Sequence, residues 1–152
     1  MKLMIHEILE KAAEASTKEE KIKILQENNH LALRDILRGG MDDSIEFILP
    51  EGKPPHGDPA SFGYSRTSLY NKTKQFKYFV KGGPGENMQP AKREKLFIDI
   101  LESVHPKEGE LVIMMKDKRL IKSNNSAHYS GITKKLVEEA FPGLIREWKK
   151  YK

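Results

Sequence analysis

The chain has 152 residues, 38% apolar and 32% charged, with a formal net charge of +5; one ordinary domain accounts for that length and can bury a core without staples. It has no cysteine, which excludes disulfides, thiolate nucleophiles, iron–sulfur clusters and cysteine zinc sites. No apolar run approaches the ~20 residues of a membrane span, and Glu7 and Glu10 come too early for a signal peptide, so a cytoplasmic protein is expected.

Taken in chain order, the first predicted element places Ile5, Ile8, Leu9 and Ala12 at i, i+3, i+4 and i+7, one face of an amphipathic helix. Thr17-Lys18-Glu19-Glu20 reads as a capping box for a second helix, with Ile22 and Leu25 inward. Asn28-Asn29 breaks it and opens a third, in which Leu33, Ile36 and Leu37 share a face and Gly39-Gly40 is the expected end. Asp42 or Asp43 then caps a predicted short helix through Ile45, Ile48 and Leu49, stopped by Pro50.

Residues 50–63 hold four prolines and three glycines in fourteen positions, an extended or turning path. Composition leaves two readings, a surface linker or an ordered loop anchored by Phe62 and Tyr64. A helix is predicted from Arg66 to Lys81, with Leu69, Thr73, Phe76 and Val80 on one stripe. Lys81-Gly82-Gly83-Pro84-Gly85 breaks it. Pro90 opens the next helix, whose buried face is Leu96, Phe97, Ile100, Leu101 and Val104. Pro106 opens another, with Leu111, Val112, Met114 and Met115. A polar, mobile loop is expected over 120–131, and a last helix uses Leu136, Val137, Ala140 and Phe141 before Pro142-Gly143. No stretch sustains period-two alternation. The expected fold is all-α: one compact domain over residues 1–152, of seven or eight short helices, with long loops only at 50–65 and 120–131.

Few residues carry recognisable chemistry. The five histidines, at 6, 30, 56, 105 and 128, have no metal-ligand spacing. The glycine-rich run 82–85 lacks the Gly-Lys-Ser/Thr ending of a P-loop and follows a helix instead of a strand, so it reads as a helix break. There is no Gly-x-Ser-x-Gly elbow and no kinase or deaminase signature. Asp42-Asp43 reads as a helix cap and Met114-Met115 as core. No cofactor is expected.

Charge is unevenly spread. Residues 1–50 carry 7 basic and 10 acidic groups; residues 51–152 carry 20 and 12. Between Pro59 and Gly85 there are five basic residues and no acidic one. Within that span Tyr70, Phe76, Tyr78 and Phe79 alternate with Lys72, Lys74, Lys77 and Lys81. Lysines neutralise phosphates, and exposed aromatics stack on bases. By helical spacing Arg66, Tyr70, Lys74, Lys77 and Lys81 form a stripe beside the apolar one. The candidate nucleic-acid-binding residues are therefore Arg66, Tyr70, Lys74, Lys77, Tyr78 and Lys81, with Lys118 and Arg119 from a second basic cluster. The competing reading makes Phe76 and Phe79 core and the lysines a solvated face; exposure of Tyr70 and Tyr78 beside the lysines separates the two.

Leu49-Pro50-Glu51-Gly52-Lys53-Pro54-Pro55, the run Phe76 to Gly83, the run Arg93 to Pro106 and the run Gly131 to Pro142 together resemble a family of small uncharacterised proteins of T4-like marine phages, chiefly cyanophages. The resemblance spans nearly the whole chain and brings no catalytic residue with it. It implies a viral protein made in a host bacterial cytoplasm, and an ordered Pro-rich segment at 50–55. His56 stands where an aromatic is expected after the prolines. The expected function is that of a non-enzymatic accessory protein binding DNA, or a nucleoprotein complex, through its basic face. The alternatives are a protein-binding module, acting on a host or defence protein or within the virion, and a protein that sequesters a nucleotide signal. No membrane partner is expected.

Overall fold

The computed structural model describes residues 3–54, 68–118, 120, 129 and 131–145. Among them are seven α-helices: α1 Ile5–Glu14, α2 Lys18–Glu27, α3 Leu31–Met41, α4 Leu69–Lys72, α5 Pro90–Ser103, α6 Pro106–Lys116 and α7 Lys134–Ala140. A 3₁₀-helix, Thr73–Phe79, continues α4. The all-α expectation holds: the described residues contain no strand longer than the single antiparallel bridge Phe47–Val80.

The α1 stripe is buried as its spacing demands, with Ile5, Ile8, Leu9 and Ala12 in the core. Thr17 caps α2, its hydroxyl accepting the Glu20 N–H at 3.2 Å. The carbonyls at the end of α1 receive a cation from the next helix: Lys21 Nζ donates to Ala15 O at 2.8 Å, Ala13 O at 3.0 Å and Ala12 O at 3.2 Å. Histidines take over two caps: His30 Nδ1 accepts the Ala32 N–H at 3.0 Å in α3, and His105 Nδ1 the Lys107 N–H at 3.1 Å in α6. Pro90 and Pro106 stand in the first turns of α5 and α6, where their missing N–H costs nothing. α1 packs on α2, α2 on α7, α3 on α6 and α5 on α6.

Several local expectations are corrected. Gly39-Gly40 does not end α3, which runs on to Met41. The two glycines let α3 approach α6: a Cβ at Gly39 would lie 2.8 Å from Met115 Sδ, and one at Gly40 would overlap Leu120. Residues 42–49 form a turn and an extended segment instead of a helix. Ile48 N–H donates to Phe79 O at 2.6 Å and Lys81 N–H to Glu46 O at 2.8 Å, bonds that commit the backbone to the bridge. On α5, Phe97, Ile100 and Leu101 are buried, with Val104 just beyond, but Leu96 is only half-buried.

The first part of the Pro-rich segment is held in place. Lys116 Nζ donates to Pro50 O at 2.8 Å and Gly52 O at 2.9 Å, and pairs with Asp117 Oδ1 at 2.6 Å. Asp117 Oδ2 accepts the Gly52 N–H at 3.1 Å. Side-chain exposure is 2% for Lys116 and 6% for Asp117, so removing either would leave a buried charge unpaired. The same helix reaches the far side of residues 55–67: buried Glu108 Oε1 accepts the Leu69 N–H at 3.2 Å. Burial raises the Glu108 carboxyl above the usual carboxylate range, against the pull of that bond and of His6. The anchors Phe62 and Tyr64, and most of the loop 120–131, lie outside the described residues; Leu120 and Tyr129 within it are buried.

Candidate nucleic-acid interface

The basic segment departs from α-helical geometry where its lysines begin. A 3₁₀-helix has about three residues per turn, so residues three apart eclipse. Thr73, Phe76 and Phe79 are buried at that spacing. Lys74 and Lys77 share the opposite, exposed side, and Gln75 and Tyr78 lie between. The wide α-helical stripe expected of Arg66, Tyr70, Lys74, Lys77 and Lys81 is thus replaced by a narrower one. Phe79 fixes it to α5 through an edge-on contact with Phe97, ring centroids 5.5 Å apart and planes at 87°.

After Phe79 the backbone extends into the bridge, which carries Lys81 out to 65% exposure. Lys81 Nζ lies 3.9 Å from a Glu46 carboxylate that is itself 70% exposed, a loose pair worth little in solution. The glycine-rich run is the break that was expected. Gly82 has φ +85°, and a Cβ at Gly83 would press on the Lys77 carbonyl and one at Gly85 on the Tyr78 backbone. Arg93 organises this end: its Nε donates to Ile48 O at 2.9 Å, and its Nη1 to Met88 O at 3.0 Å and Gly85 O at 3.1 Å. It is a buried positioning residue that no sequence pattern singles out.

The other candidates separate. Tyr70 is a structural tie, which corrects its expected role as a stacking surface. Its hydroxyl donates to Leu3 O at 2.7 Å, and it meets His30 edge-on at 4.6 Å. Burial, with Glu108 and Glu7 nearby, raises its phenol above the ordinary tyrosine value. Tyr78 is half-buried against the core, and Lys77 Nζ lies over its ring, 5.4 Å from the centroid, so one face already holds a cation. Lys118 is a correction of direction: its Nζ turns inward to the carbonyls of Gly39 and Asp42, the latter at 3.0 Å, and lies 5.3 Å from the Phe47 ring centroid. Burial lowers its ammonium to about 8, although Asp43 and Asp42 act to raise it. Arg66 and Arg119 lie outside the described residues.

Two basic residues that sequence reasoning passed over join the segment from α3. α3 packs on the 3₁₀-helix, and the Asp35 carboxyl has Thr73, Arg38 and Arg34 close enough to favour its charged form. Burial raises its pKa, while Thr73, Arg38, Arg34 and His30 oppose the shift. The arginines therefore stand on the helix that packs against the 3₁₀-helix of Lys74 and Lys77. Their signal was present, as an i, i+4 pair outside the apolar stripe of α3, but it lay in the half of the chain with net negative charge.

Among the described residues no cluster of three or more histidine and carboxylate groups could hold a metal ion. No described helix is long and apolar enough to cross a membrane. Residues 8–122 match a family described as one of unknown function (DUF6433). No curated protein matches the chain.

Proposed function

The chain belongs to the DUF6433 family, and we propose that it is a non-enzymatic accessory protein that binds DNA, or a nucleoprotein complex, through Lys74, Lys77 and Lys81. The observation that carries the reading is the 3₁₀ register. It seats Thr73, Phe76 and Phe79 in the core and so presents Lys74 and Lys77 together, with Lys81 beyond them on the bridge. Neither Lys74 nor Lys77 is in an ion pair among the described residues, so each is available to displace a phosphate counterion. With the resemblance to phage proteins, the proposal extends to a viral protein acting in the host bacterial cytoplasm on replication, transcription or packaging.

The test reverses Lys74, Lys77 and Lys81 to Glu, which takes the formal charge from +5 to −1. The control reverses Lys11, Lys23 and Lys135, which are exposed and equal in charge. Salt-dependent DNA binding by wild type, lost in the first triple and largely kept in the second, is the expected result. Equal loss in both makes the effect net charge alone.

One observation favours a second reading, a protein-binding module. An open cleft of about 580 Å³ is lined by Phe47, Leu49, Pro50, Glu86 and Glu94, among others. Beside it the backbone N–H and C=O groups of Phe47 and Leu49 make no hydrogen bond among the described residues. An extended peptide adds to an edge of that kind. Partner capture that resists nuclease and high salt would select this reading over the first.

A further inference from the structure

On α3, Leu31, Arg34, Asp35 and Arg38 fall at i, i+3, i+4 and i+7, one face turned away from buried Leu33, Ile36 and Leu37. Leu31 is 56% exposed. The face brings two like charges together at i and i+4, an arrangement that destabilises a helix unless something offsets it. Asp35 is the carboxylate placed to do so, yet it forms no ion pair within 4 Å with either arginine among the described residues.

The guanidinium groups are also short of acceptors. Arg34 Nε and Arg38 Nε are both shielded from solvent with no hydrogen-bond partner. Both residues are partly exposed, and their Nη groups likewise donate to nothing among the described residues. A desolvated donor without an acceptor costs free energy, and a pair of them on adjacent turns calls for a common explanation. A guanidinium plane half-fixed by the protein, with its outer donors open, is the arrangement that grips an oxyanion through two bonds at once.

We propose that Arg34 and Arg38 grip two phosphates of one nucleic-acid strand, alongside Lys74 and Lys77. The packing of α3 on the 3₁₀-helix places the two pairs on neighbouring elements. Their lengths agree. Four residues of α-helix rise about 6 Å, and three residues of 3₁₀-helix also rise about 6 Å. Each pair therefore spans roughly two charges of one strand, at ~3.4 Å of axis per charge. The arginines read the backbone and carry no base preference, so duplexes of different sequence bind alike. The inference rests on the reading of the basic segment given above and adds the residues that grip.

The experiment measures the affinity of the full chain for a fluorescein-labelled mixed-sequence DNA duplex across a salt series. It compares wild type, R34Q/R38Q, R34K/R38K and K74Q/K77Q. For R34Q/R38Q the slope of log K against log salt falls in magnitude by about 2, as two phosphate contacts are lost. R34K/R38K keeps the slope but binds about tenfold more weakly, because a point charge replaces a two-bond grip. If K74Q/K77Q weakens binding and R34Q/R38Q does not, the arginine assignment is overturned and the lysine reading stands. R34K/R38K binding as tightly as wild type overturns the grip. Wild type without salt-dependent affinity removes both. Should R34Q/R38Q lose its helical circular dichroism, wild type decides: the Arg34 and Arg38 Nε–Hε NMR signals shift on titration with the same duplex, and signals that stay fixed overturn the proposal.

Discussion

Lys118 shows how far the direction of one side chain can depart from what composition suggests. It is a non-glycine residue with φ +59°, in the left-handed region. Its ammonium closes the end of α3, where helix carbonyls lack partners. Burial holds its pKa near 8, below the ordinary 10.5. Between those values the unfolded chain binds the proton and the folded chain does not, so stability rises with pH across that window. The charged form carries a penalty below about 8 that is relieved as pH climbs towards 10.5. Thermal melts of wild type and K118M over that range check this: the difference should move in favour of wild type above pH 8 and stay flat below it. A difference that is flat throughout rules it out. In the sequence Lys118 looked like any member of a basic cluster, since charge is counted without direction. Tyr70 deceived in the same way, because an aromatic beside lysines reads alike whether its hydroxyl is bonded to Leu3 or open to solvent.

Among the elements, the α-helices were legible and the 3₁₀-helix was not. The buried faces of α1, α3, α6 and α7 follow from 3.6-residue spacing. Residues 69–80 satisfy that template through Leu69, Thr73, Phe76 and Val80, and equally a period of three through Thr73, Phe76 and Phe79. The structure chooses Phe79, which is 1% exposed, and gives Val80 to the bridge with Phe47. That partner, 33 positions earlier in the chain, is tertiary information that no local pattern holds. The same pairing explains why Ile45 to Leu49 is extended. Phe97 links α5 to this arrangement, at 2% exposure, against the Phe79 ring and 5.9 Å from Lys116 Nζ. Phe97→Ala should cost about 3–5 kcal/mol in chemical denaturation. It should also weaken the DNA binding proposed for residues 73–81 in whatever population stays folded. A variant that unfolds at the wild-type midpoint would mean the ring is no part of the core.

At the scale of the whole molecule, α6 is the organiser. Its Glu108 and Lys116 hold the chain on either side of residues 55–67, and its Leu111, Val112 and Met115 lie in the core that α3 and α5 share. The single all-α architecture was legible because every apolar cluster obeyed helical spacing. The site was legible only in part. Of the proposed site, Lys74, Lys77 and Lys81 stand out by their density in the sequence, whereas the place of Arg34 and Arg38 depends on the packing of α3 against the 3₁₀-helix. The bridge also bears on how copies of this molecule behave towards one another. Ile45-Glu46-Phe47-Ile48-Leu49 is a β-prone, apolar window whose outer backbone groups at Phe47 and Leu49 are unpaired among the described residues. Such an edge templates chain-to-chain assembly unless it is interrupted. Glu46 and Pro50 interrupt it, one by repulsion between like edges and the other by removing a donor and ending the strand. E46V/P50V leaves the Pro50 carbonyl that Lys116 holds as a backbone group of the new residue. Light scattering should then find larger, concentration-dependent species than wild type forms, with thioflavin fluorescence marking cross-strand growth. Unchanged scattering would mean that the edge is guarded by something other than these two residues.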